Sequence, residues 1–194
     1  ICAPRDSAIR RIFAAKHRSY DKPSGMLANS LMSREIHLMD EWRHELVQAV
    51  VSRANVPFSV VAPFRVDHPL LRRVDAFVMR SSTKGQTLDM LLNAGQFHDE
   101  IARQAWERQI PVFGSSANTS LAGSKFRYRD IEAPVRAAAE IYFDYGKCAY
   151  ANLEGRSSTI IDFQDFSVIR VGTVFDRVQA AFRDIGDVEL KLAD

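Results

Sequence analysis

Hydrophobic and polar positions alternate along this chain with two periods. Over residues 5–16, Ala8, Ile9, Ile12 and Phe13 recur at helical spacing, and Asp6 or Ser7 is placed to cap the helix. A second helix is predicted over 41–53. Asp40 caps it, Leu46, Val47, Val50 and Val51 form its apolar stripe, and Glu41, Glu45, Gln48 and Ser52 share the wet side. Ser33-Arg34-Glu35-Ile36 reads as another helix start. Residues 86–108 carry helical periodicity in two pieces broken near Ala94-Gly95, with Leu88, Leu91 and Leu92 lining the first and Ile101, Ala105 and Trp106 the second. Pro134 opens a short helix to about Glu140. Residues 173–185 give a closing amphipathic helix with Val174, Phe175, Val178, Ala181 and Phe182 facing inward.

Between these segments lie short apolar runs with the character of buried strands. They are Met26-Leu27-Ala28, the proline-bounded run 56–63, Ala76-Phe77-Val78-Met79-Arg80, Ile110-Pro111-Val112-Phe113 and Ile141 to Gly146. His68-Pro69 marks a turn. Interleaved helices and strands give an α/β fold. The length of 194 residues suits one domain, assigned to 1–186, with a tail or short strand at 187–194.

Composition narrows the function classes. A hydrophobic share of 46% supports a true core, and a net charge of +2 does not make a bulk polybasic nucleic-acid binder. Cys2 and Cys148 form no metal or disulfide pattern, which suits the reduced thiols of a cytoplasmic protein. No apolar run approaches the roughly 20 residues of a membrane span, and no secretory signal is visible. The chain begins Ile1-Cys2-Ala3 without Met, so an upstream piece is expected. His98-Asp99-Glu100 lacks a second His at i+4, and no metal site is expected there.

Candidate chemistry gathers in a few loops. Ile110 to Gly123 is a short apolar run that ends in Gly, Ser, Asn and Thr. A strand running into such a loop presents backbone N–H groups and hydroxyls at the sheet edge, where α/β proteins bind ligands and where anions fit. Lys16, Arg18 and Lys22 sit between a helix end and a Pro-Ser-Gly turn. They either converge on a polyphosphate or form a solvated basic turn. Lys125 to Asp130 interleaves basic and aromatic residues, a pattern that also suits RNA.

Several of these segments resemble the motifs of the YrdC-type threonylcarbamoyl-AMP synthase family, in its order. Ile12-Phe13-Ala14-Ala15-Lys16-His17-Arg18 with Lys22-Pro23 is similar to its Ile-Phe-x-x-Lys-x-Arg…Lys-Pro segment. Ser115-Ser116-Ala117-Asn118-Thr119-Ser120 is similar to Thr-Ser-Ala-Asn-x-Ser-Gly. Ser59 takes the place of a Thr in a proline-flanked strand, and Arg80 that of the Arg in Val-Arg-Val-Pro. Ile141 to Gly146 resembles Ile-Ile-Asp-x-Gly. Gly155 to Asp162 resembles Gly-x-x-Ser-Thr-Val-Val-Asp, and Ser167 to Gly172 resembles Val-Leu-Arg-x-Gly. The chain departs from the pattern in lacking the first strand, Pro-Thr-Asp-Thr-Val-Tyr-Gly, which carries a threonine-binding hydroxyl. Leu121 replaces a motif glycine, Ser24-Gly25 follows Pro23 where the family has Leu, and Ser81-Ser82 replaces Val-Pro.

The resemblance implies a twisted mixed β-sheet with flanking helices and a basic concave cavity. It implies a nucleotidyltransferase, L-threonylcarbamoyladenylate synthase, that makes threonylcarbamoyl-AMP and pyrophosphate from L-threonine, bicarbonate and ATP with Mg²⁺. The product serves tRNA threonylcarbamoyladenosine modification, with the proteins of that pathway as partners. It assigns Lys16 and Arg18 as catalytic, Arg18, Lys22, Ser59, Ser116, Asn118 and Arg170 to the nucleotide, and Arg80 and Ser158 to threonine. Two alternatives stand beside it: a double-stranded RNA or tRNA-binding module without catalysis, and a carbamoyl-adenylate enzyme with another substrate.

Overall fold

The structure is a computed structural model that describes residues 1–192. A single mixed sheet runs through it. In chain order its strands are β1 (Cys2–Ala3), β2 (Gly25–Leu27), β3 (Phe58–Pro63), β4 (Thr83–Lys84), β5 (Thr87–Leu92), β6 (Phe113–Gly114), β7 (Thr159–Asp162), β8 (Ser167–Arg170) and β9 (Lys191–Leu192). Their spatial order is β1-β6-β2-β5-β3-β7-β8-β9, with β4 hanging on β5. β2 and β5, β3 and β7, and β8 and β9 pair parallel; the remaining pairs are antiparallel.

Side-chain alternation divides the sheet into two faces. Met26, Leu88, Met90, Leu92, Phe58, Val60, Ala62, Ile161 and Val168 point to the buried face. They share one cluster with residues of α1 (Asp6–Lys16), α2 (Ser30–Ile36), α3 (Glu41–Ala49), α5 (Gln96–Glu107) and α7 (Phe175–Gly186). Phe58, Phe163 and Phe182 pack ring against ring at its centre. The other face presents Gly25, Leu27, Asp89, Leu91, Ser59, Ile160 and Arg170, as the strand register requires.

The α3 helix starts as read: the Asp40 side chain accepts from the Arg43 N–H at 2.9 Å. It continues through a π-helical turn, Val50–Ala54, to a left-handed Asn55. Trp42 packs edge-on against Phe166. Val188 and Leu190 are buried, and Lys191–Leu192 adds to the sheet beside β8, so the segment assigned as tail docks on the domain; residues 193 and 194 lie outside the described residues.

Several expectations need correction. Ala76–Arg80 is not a strand but the short helix α4. The strand next to β3 is instead Thr87–Leu92, where the expected helix had placed Leu88, Leu91 and Leu92 on one stripe. The period there is two: Leu88, Met90 and Leu92 are buried, while Thr87, Asp89 and Leu91 face the other way. A six-residue apolar segment satisfies either period, and pairing with strands on both sides decides. Ile141 to Gly146 forms an exposed loop, since no strand offers it a partner. The apolar run at Ile110 contributes only Phe113–Gly114 to the sheet. Neither Asp6 nor Ser7 caps α1; Arg5 holds that position without a side-chain bond, and Asp6 pairs with Arg10 at 2.9 Å. The helix expected to begin at Ser33 begins three residues earlier, at Ser30, capped by Asn29, which accepts from the Met32 N–H at 2.9 Å. α6 (Ala133–Ala137) is shorter than read.

Candidate active site

The site begins at the end of α1. His17 adopts the left-handed conformation, φ 49°, and stops the helix, a role Gly usually fills. The Arg18 N–H returns to the Phe13 carbonyl at 2.9 Å, which turns the chain back across the end of the helix. The Arg18 guanidinium then donates to the carbonyls of Lys22 at 3.0 Å and Pro23 at 2.7 Å. These bonds brace it against the Pro-Ser-Gly turn. Lys22 itself is exposed, and its carbonyl rather than its ammonium meets Arg18.

Lys16, only 1% exposed, holds the Ser115–Ser120 loop in place. Its ammonium donates to the Ser116 and Asn118 carbonyls and lies 3.5 Å from Asn118 Oδ1. The Ser120 N–H donates to the Lys16 carbonyl at 2.9 Å, so loop and helix end clasp each other. Asn118 is buried and donates to the Thr119 carbonyl at 2.7 Å, whereas Ser116 is exposed. Glu132 closes the outer side, accepting from the Thr119 N–H at 3.1 Å and pairing with Lys125 at 3.2 Å. Burial, and then the charge of Arg18, push the Lys16 ammonium down to about 8.

The far wall comes from β7 and β8. Arg170 donates to the Ser158 carbonyl at 2.9 Å and to the Ser158 hydroxyl at 3.1 Å. The crossover there is tight: a Cβ on Gly172 would lie 2.1 Å from the Thr159 backbone nitrogen, so only glycine fits. The Gly172 N–H donates to the Thr159 hydroxyl at 3.1 Å. Arg18 is pushed below its ordinary guanidinium value by burial and by the Arg170 charge, which places the two cations in one electrostatic neighbourhood.

Between the walls, β5 presents Asp89. A Cβ on Gly25 would come within 3.1 Å of Asp89 Oδ2. Burial raises this carboxyl to about 6, opposed by the neighbouring Ser59 hydroxyl and the Arg170 charge. Ser59 is itself buried on this face, two residues along from the register partner of Asp89. Sequence reasoning missed Asp89. The available signal was an acidic residue interrupting an apolar run, Leu88-Asp89-Met90-Leu91-Leu92, which becomes informative only under a period of two.

The structure therefore brings together Lys16, Arg18, Ser59, Asn118, Ser158 and Arg170, with Ser116 at the rim. Arg80 is not among them. It is exposed at the last turn of α4, and the strand-end clamp read for it is not formed.

Comparison with known proteins agrees with this architecture. The Sua5/YciO/YrdC family model, described as "Telomere recombination", matches residues 1–172. The chain belongs to this family. Among solved structures, a hypothetical protein from Streptococcus mutans UA159 superposes with a TM-score of 0.76 at 14% identity, covering 100% of this chain and 85% of that one. P. abyssi Sua5 complexed with L-threonine gives a TM-score of 0.70 at 18% identity, covering 98% of this chain and 51% of Sua5. A double alanine variant of P. abyssi Sua5 gives 0.66 at 19% identity, with 98% and 50% covered. The chain thus spans about half the length of Sua5. No curated protein sequence matches it. Among the described residues, no helix is long and apolar enough to cross a membrane.

Proposed function

We propose that the chain is a nucleotidyltransferase that joins L-threonine, bicarbonate and ATP into threonylcarbamoyl-AMP and pyrophosphate for tRNA modification. Family membership supports this reading, as does the L-threonine complex of a similarly folded protein. The observation that carries it is the nearness of the Arg18 and Arg170 charges, with the buried Lys16 ammonium pinning the Ser116–Asn118 loop beside Arg18. Two guanidinium groups in one neighbourhood, backed by a third positive charge, suit a polyphosphate better than a neutral ligand.

The reaction asks little of a general base. The threonine amine takes up carbon dioxide as a carbamate. A carbamate oxygen then attacks the α-phosphorus of ATP, the bond to the bridging oxygen breaks, and pyrophosphate leaves with that electron pair. Catalysis consists of holding both partners in line and stabilising charge on the phosphoryl oxygens. Arg18 and Arg170 offer bidentate guanidinium forks for those oxygens. Lys16 fixes the loop of Ser116 and Asn118 against them, and Ser158 is held by Arg170 at the amino-acid end. Asp89 shares this face with Asp162 at the end of β7, since both pair with Val61. Mg²⁺ would enter bound to ATP phosphates and water, as it commonly does.

Titration of ATP into the protein, with pyrophosphate release followed in the presence of threonine and bicarbonate, tests the proposal. Arg18→Ala is expected to abolish ATP binding while leaving the circular-dichroism spectrum unchanged. Undiminished nucleotide affinity in that variant overturns the assignment.

A second reading, an RNA-binding module without catalysis, draws on one surface. Tyr142, Phe143 and Tyr145 stand exposed in the 141–146 loop, with Tyr142 stacked on Tyr128 at 4.5 Å and Arg136 over the Tyr128 ring. Steeply salt-dependent RNA binding without pyrophosphate release favours it.

A further inference from the structure

Asp89 is an unusual group in a site built for anions. Its Oδ1 is shielded from water and accepts no hydrogen bond among the described residues, the Ser59 hydroxyl being the one neighbour that favours the charged carboxyl besides Arg170. No ion pair among the described residues includes it, although Arg170 lies near enough to act on it electrostatically. The Arg170 guanidinium is directed to Ser158 instead. A carboxylate oxygen removed from water without a donor is costly, and such a group persists where a ligand supplies the missing partner.

The surroundings fit a ligand more than a structural accident. Asp89 lies on the open face of β5 opposite Val61 of β3, with Ser59 two residues along on the same face. Beside it stands Gly25, whose missing side chain leaves the space over the carboxylate clear. The Arg170 charge acts on Asp89, and the Arg18 charge acts in turn on Arg170. One electrostatic neighbourhood thus holds a carboxylate and, in sequence from it, the guanidinium groups of Arg170 and Arg18. That charge pattern matches a small molecule carrying an amine next to an anionic group.

We propose that Asp89 is a specificity-determining residue that receives the amino group of the co-substrate, with the cations of Arg18 and Arg170 left to its anionic end and to the phosphates. The site then selects primary amines and rejects molecules that present only a carboxylate or hydroxyl at this position. This inference rests on the amino-acid-dependent reading above and names the residue that reads the amine.

Calorimetry on the full chain with three probes tests it: L-threonine, its amine-free analogue 2,3-dihydroxybutanoate, and its carboxylate-free analogue threoninol. The wild type is expected to bind threonine and threoninol, and to bind dihydroxybutanoate at least about tenfold more weakly, the effect of one lost charge-assisted hydrogen bond. In Asp89→Asn this preference for the amine disappears, while ATP affinity stays within about threefold of the wild type. Equal weakening of all three probes in Asp89→Asn, an amine-free analogue binding as tightly as threonine, or no binding of either amine by the wild type overturns the proposal. ATP titrations run alongside keep the two readings apart. Absence of nucleotide binding with the amine preference intact defeats the synthase reading and leaves the role of Asp89 standing.

Discussion

Lys16 and Asp89 show how single residues acquire unusual chemistry from their neighbours. Lys16 ends an amphipathic helix, a position where a lysine ordinarily points to water. Here the Ser116–Asn118 backbone folds over it, and burial with the nearby Arg18 holds its ammonium at about 8. Its charge is therefore present below pH 8 and is lost as pH rises through that value. ATP affinity is expected to fall by about tenfold between pH 7 and pH 9, and Lys16→Met is expected to bind weakly with little pH dependence. Isothermal titration across that range measures it. Asp89 works in the opposite direction. Its folded value of about 6 exceeds the ordinary 3.8, so the folded state holds the proton more tightly across that window, and stability falls as pH rises through it. Asp89→Asn is expected to remove that slope and to raise stability at pH 7 by ~1–3 kcal/mol, read by urea unfolding at pH 4, 5, 6 and 7. A substitution that stabilises the fold while removing amine selectivity is the expected signature of a functional group kept at a cost to stability.

At the level of elements, the site depends on close backbone approaches that fix where strands and loops end. The β7–β8 pair bulges between Ile160 and Ile161, and beyond it Gly172 sits against the Ser158–Thr159 backbone. Gly172→Ala would force that backbone apart, lose the bond to the Thr159 hydroxyl and shift Arg170 relative to Ser158. A destabilisation of about 3 kcal/mol or more is expected by denaturant titration, with nucleotide binding weakened as well. Strand β3 illustrates the other determinant. Its Phe58, Val60 and Ala62 are wholly buried, while Ser59 faces the site. Val60→Ala is expected to cost ~1–3 kcal/mol of stability with ATP affinity unchanged, because the two faces of the strand serve separate purposes. Thermal unfolding together with titration distinguishes the two effects.

For the whole molecule, the mixed sheet gathers segments that are far apart in sequence around one charged face. Lys16 and Asn118 meet across 102 residues, and the Arg18 and Arg170 charges interact between strands and helices at opposite ends of the chain. Like charges held together this way repel, and an anion relieves the repulsion. Saturating ATP, at 100 times its dissociation constant, is expected to stabilise the native state by ~2.7 kcal/mol and to raise the unfolding midpoint by roughly 5–10 °C. Inorganic sulfate is expected to do so more weakly, and Arg170→Ala to reduce both shifts. Scanning fluorimetry provides the comparison, and a midpoint indifferent to both anions contradicts the shared site.

The sequence alone determined the pieces whose signals are local. The α1 and α3 helices follow from helical periodicity, Asp40 from its capping preference, and the strand at 58–63 from a dense β-branched run between prolines, while the segments holding β7 and β8 were legible through their resemblance to family motifs. Lys16, Arg18, Asn118 and Arg170 became candidates through the resemblance of their short segments to the family's motifs. Tertiary structure decided what depends on partners. Residues 76–80 coil into a helix and 87–92 extend into a strand because β3 and β2 flank only the second; Leu88, Leu91 and Leu92 fit either period until those neighbours are in place. Arg80 consequently lies outside the site, and Asp89 lies within it. No local pattern carries that exchange, since which face of a strand meets the ligand is set by register with chains that are distant in sequence.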